Sequence, residues 1–150
     1  MHARNRLQGD DAFSLDARPS EQGDWRVGKL LAETLEGFAA HARDWFELNQ
    51  IVEGVPLRDH LLSVQQRTGR VPDKLANAAP LPIGCTSLWR DFIALHFTRP
   101  VGTGSPGRIP WTEIDAYQRV RGIRFEAWQI DALRRADGEY MAHIAAQSKG

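Results

Sequence analysis

The sequence predicts an all-α fold of about five helices in one small bundle-like domain over residues 25–150, with long Gly/Pro-rich connectors. Residues 1–24 read as a flexible arm. Apolar residues recur at threes and fours from Val27 almost to the C-terminus. No segment alternates with period two for long enough to make a convincing strand. With 150 residues, a single hydrophobic core is the default architecture.

The arm is assigned because residues 1–24 are polar, carry few aromatic anchors and show no sustained period. A first helix follows over residues 25–49, where Val27, Leu31, Leu35, Phe38, Ala42, Trp45 and Phe46 share one side. Pro56 suits the opening turn of a second helix, Leu57, Leu61, Val64 and Thr68 share its face, and Gly69 supplies a left-handed stop. Pro72, Pro80 and Pro82 then impose an extended connector, with Leu75, Leu81 and Ile83 expected as its anchors. In CTSLWRDFIALHFTR the residues Leu88, Trp89, Phe92, Ile93, Leu95 and Phe97 cover most of a helix circumference, which places that helix centrally in the core. A further helix is expected to begin with a capping box of Thr112 and Asp115, to carry a stripe of Ile114, Tyr117 and Val120, and to end at Gly122. The last runs from Phe125 to Ala146 and gathers Trp128, Ile130, Leu133, Asp137, Tyr140, Met141 and Ile144 toward one side.

Charge and motif content narrow the function classes. Nineteen basic and nineteen acidic residues cancel, so no overall field draws the chain to nucleic acid or an anionic membrane. No apolar run reaches the length of a bilayer crossing, so a soluble protein is expected. The lone Cys85 cannot form an internal disulfide and reads as a small residue at a helix start. The stretch Thr98–Trp111, TRPVGTGSPGRIPW, has glycines spaced like a phosphate-binding loop. It lacks the Lys-Ser or Lys-Thr that completes a P-loop, Pro106 removes an N–H donor, and no strand precedes it. It reads as a junction between helices. No pair of histidines stands at metal-binding helical spacing, and no nucleophile-and-base arrangement is visible. The expectation is a non-enzyme with no metal and no cofactor.

Asp137 is the informative polar residue, because it falls on the apolar stripe of the last helix. A carboxylate buried there needs a partner, and Arg99 or the helix start near Thr112 are the natural candidates. An alternative reading takes residues 111–140 as a DNA-binding helix-turn-helix, two helices joined by a short turn containing glycine. Its charge is unfavourable, with five arginines against six acidic residues over Trp111–Tyr140.

Residues 56–140 resemble the tail assembly chaperones of long-tailed bacteriophages and prophages. The resemblance rests on Trp89, Phe92 and Leu95 followed by Arg99, on the Gly/Pro loop leading to Trp111, on the Ala116–Tyr117 pair, and on Trp128, Asp137 and Tyr140. Gln129 and Ala136 depart from the pattern, where an acidic residue and a large apolar residue are usual. The resemblance implies a non-catalytic protein of the bacterial host cytoplasm. Its implied partners are the tape measure protein and the tail-tube protein, with self-association possible, and neither nucleic acid nor membrane. It also implies that Trp89, Phe92, Arg99, Trp111, Tyr117, Trp128, Asp137 and Tyr140 bind a protein partner or hold the family's structure.

Overall fold

The computed structural model describes residues 21–150 apart from 101 and 103. Six helices are found among them: α1 (Glu21–Asn49), α2 (Leu57–Thr68), α3 (Asp73–Ala76), α4 (Thr86–His96), α5 (Trp111–Arg121) and α6 (Ala127–Ser148). Between α1 and α2 sits a hairpin of two very short strands, β1 (Ile51–Val52) and β2 (Val55–Pro56). The expected arm lies outside the described residues up to position 20. Its last four positions are corrected, because α1 already starts at Glu21.

α1 and α6 form the most extensive helix pair. They run in the same direction: Gln147 Nε2 reaches Gln50 Oε1 at 3.3 Å near their C-terminal ends, and Glu36 and Arg43 share a crevice with Arg135 and Glu139 further back. Small side chains permit this approach. Ala132 and Ala136 on α6 and Ala42 on α1 are all fully buried. Ala136, unusual for the resembled pattern, is thus one of the small residues of the core.

α4 completes the core with an aromatic lattice. Phe38 meets Trp89 edge-on at 5.7 Å and Phe92 at 6.4 Å between ring centres, while Phe46 meets Phe92 at 6.1 Å and Tyr140 at 4.9 Å. The three Phe and Trp pairs are edge-to-face, a geometry that adds roughly 0.5–1.5 kcal/mol per pair beyond the area buried, and the Phe46–Tyr140 pair is tilted. Leu88, Phe92 and Leu95 are buried as the periodicity predicts, but Phe97 is 75% exposed. α4 ends at His96, so Phe97 occupies the C-cap.

Other differences have local causes. The hairpin escapes the alternation test because each strand has two residues; its turn puts Glu53 at φ 50° and Gly54 at φ 87°. Ile83 is fully exposed rather than an anchor, since Pro82–Cys85 form a β-turn, Cys85 N–H donating to Pro82 O at 3.1 Å with Gly84 at φ 82°. Pro82 instead packs on α1, where a Cβ on Gly37 would stand 3.0 Å from Pro82 Cγ. The Thr112–Asp115 box does not form. Pro110 precedes the first turn of α5 and accepts the amides of Glu113 and Ile114, which leaves Thr112 inside the helix. Val120 is 85% exposed, off the buried face of α5. α6 begins two residues late and gains a capping box from Glu126 and Gln129, so the unusual Gln129 closes the helix start.

Candidate functional site

The buried polar centre joins the end of α4 to α6. Arg99 Nη2 stands 2.5 Å from Asp137 Oδ1, with the two side chains 5% and 1% exposed. That contact is made as charge on charge, outside hydrogen-bond alignment. Arg99 has better-directed bonds elsewhere: Nη1 donates to Gly107 O at 2.8 Å and Nε to His96 Nδ1 at 2.9 Å. Its guanidinium also lies over the Tyr140 ring at 4.2 Å. Asp137 accepts the Ile109 amide at 3.3 Å, and Arg134 Nη1 donates to Ile109 O at 2.7 Å and reaches Asp137 Oδ2 at 3.4 Å. Of the two sequence candidates for Asp137, Arg99 is engaged directly, whereas the α5 helix start is not: the carboxylate takes the Ile109 amide just ahead of it. The end of the Gly/Pro stretch is fastened here, where the sequence suggested only a loose junction.

His96 takes its state from this centre. Burial, then the Arg99 charge, lowers its pKa from 6.5 to about 4, with Asp137 pulling weakly the other way. Because Nδ1 accepts from Arg99, the neutral ring carries its proton on Nε2.

A second polar clamp holds the preceding connector. Asp44 Oδ2 accepts the Ala79 amide at 2.8 Å, and His41 Nδ1 donates to Ala79 O at 2.8 Å. His41 and Asp44 are one helical turn apart on α1, and that spacing is the signal that hints at them. They grip the backbone of Ala79 from both sides.

On the outer side, α4 and α5 border an open cleft of about 530 Å³ lined by Ile93, Ala94, Tyr117 and Ile123, with Arg90 and Arg121 at its edges. Tyr117 O–H donates to Asp91 Oδ1 at 2.7 Å, which fixes the ring. Burial and this bond raise the Tyr117 pKa. Nothing local in the sequence announces a contact between residues so far apart in the chain.

The eight expected site residues thus separate. Phe92, Arg99 and Asp137 are buried, while Trp89 and Tyr140 are half-buried in the aromatic lattice. Tyr117 and Trp128 are also half-buried against the core, and Trp111 is the exposed member of the set. Tyr117 borders the α4–α5 cleft, Trp111 is 59% exposed with Arg134 over its ring at 4.6 Å, and Trp128 donates from Nε1 to Glu126 at 2.7 Å. Among the described residues, no cluster of three or more His, Cys, Asp or Glu could hold a metal ion, and no helix is long and apolar enough to cross a membrane.

The arrangement is that of a helical protein whose polar interior serves to fasten connectors, with apolar side chains left at its outer helices. Residues 64–142, more than half of the chain, match the family model described as phage tail assembly chaperone, and the chain belongs to that family. No curated protein and no solved structure matches it.

Proposed function

We propose that this chain is a tail assembly chaperone that binds the tape measure protein, keeps it soluble before assembly, and helps bring tail-tube subunits to it. The reading rests on the family match over residues 64–142, a span that includes all of α4 and α5, most of α6 and every residue of the pattern from Trp89 to Tyr140. The physical task is to cover apolar stripes of a long helical client until the tail tube buries them. Exposed apolar side chains on α5 and at the ends of α4 and α5 suit it, among them Phe97, Trp111, Val120 and Ile123. Each contact with the client is weak, and many chaperone copies along one client act together by avidity. The chaperone works by binding alone, in the cytoplasm of the bacterial host.

Co-expression with the tape measure protein of the same genome tests this. The client is expected to move from the insoluble to the soluble fraction and to co-purify with the chaperone. An insoluble client beside a folded, abundant chaperone would sink the proposal.

A further inference from the structure

The geometry points to the α4–α5 cleft as the surface that takes the client, and to a client segment of stated chemistry: an α-helix whose apolar stripe is flanked by carboxylates. This rests on the chaperone reading above and specifies where and what it binds. The floor is apolar, formed by Ile93, Ala94, Tyr117 and Ile123. It extends along both helices, since Phe97 follows Ile93 by one turn and Val120 follows Tyr117 by one turn. Phe97 and Val120 are 75% and 85% exposed, so the apolar strip continues into solvent instead of closing into a ligand cavity.

Charge decides the occupant. Asp91 is the carboxylate lining the cleft, and it is consumed by the Tyr117 hydroxyl at 2.7 Å. Arg90 and Arg121 at the edges have no carboxylate partner among the described residues, whereas nearby Arg119 is paired with Asp115 at 3.1 Å. Arg121 instead lies toward the Tyr117 ring, 6.0 Å from its centre. Two guanidinium groups without a carboxylate partner among the described residues, beside an apolar floor, match carboxylates beside an apolar stripe, the helix-in-groove mode of recognition with bidentate acceptors at its margin. A duplex nucleic acid would offer negative charge without the apolar stripe.

The test is a comparison of three full-length chains in binding to the tape measure protein: wild type, Arg90→Glu with Arg121→Glu, and Val120→Asp. An Arg58→Glu with Arg70→Glu chain, reversed at two exposed arginines in and just after α2, is the control. All four are checked for the same thermal midpoint. Both cleft variants are expected to bind about tenfold more weakly or worse, the arginine reversals by losing complementary charge and Val120→Asp by breaking the apolar strip. The control should bind like wild type. Equal binding by all four chains would overturn the cleft while leaving the chaperone reading intact. Failure of wild type itself would instead overturn that reading, and the cleft assignment with it. If sedimentation shows a wild-type dimer that both cleft variants abolish, the occupant is a second copy of this chain and the client assignment is wrong.

Discussion

The connector over residues 77–85 and the described residues of 97–110 both lack regular structure, yet they are held in contrasting ways. In the first, His41 and Asp44 grip both backbone polar groups of one residue, Ala79, from a half-buried position on α1. In the second, full charges are buried: Arg99 from the connector meets Asp137 from α6, and the Gly107 and Ile109 backbone is tied to them. The difference is what remains when one partner is lost. At Ala79 water can replace the missing group, but at Asp137 a cation would be left in the core.

Breaking the deep clamp should therefore cost most. Asp137→Asn is expected to destabilise the fold by about 3–5 kcal/mol, read from urea unfolding. Replacing both charges, Arg99→Met with Asp137→Leu, should recover much of that loss, because no unpaired charge is then buried. A double variant no more stable than Asp137→Asn would show that the connector bonds, rather than the stranded cation, carry the cost.

His96 gives the deep clamp a pH signature. Its pKa is about 4 in the folded chain and 6.5 when unfolded, so the unfolded state takes up a proton first as pH falls. Its contribution is fully present above pH 6.5, declines as pH drops toward 4, and is constant below. The His96→Gln chain should lose that part of the slope in the urea midpoint between pH 6.5 and 4. The shallow clamp should answer more mildly: Asp44→Ala is expected to cost about 1–2 kcal/mol in the same assay. Smallest of all, Gly102→Ala and Gly104→Ala should stay within about 0.5 kcal/mol, with client binding intact, since an added Cβ at either site meets nothing within 4 Å.

Much of this was readable from the chain. Periodicity located α1, α2, α4, α5 and α6, and the need of a buried carboxylate for a partner led from Asp137 to Arg99. Those are local patterns or strong physical demands. What escaped was set by tertiary context or very short range. The sequence contains no sign that Ala79 would sit where His41 and Asp44 converge, and α3 spans only Asp73–Ala76 in a stretch rich in proline. Ile83 and Val120 show the opposite failure: hydrophobicity suggested burial, but a turn and a helix rotation point them outward. For the same reason the outer cleft could not be seen, because its floor joins residues of two helices whose facing sides depend on how the core packs.

The single thiol of the chain closes the first connector. Cys85 is 1% exposed at the start of α4, and burial raises its pKa, so reagents that need a thiolate in solvent will find it unreactive in the closed state. Its rate of modification therefore becomes a clock for how often the Pro82–Cys85 turn lifts from α1. No foreign label is required. Followed with and without a bound client, that clock distinguishes a chaperone that grips as a rigid body from one that opens to do so.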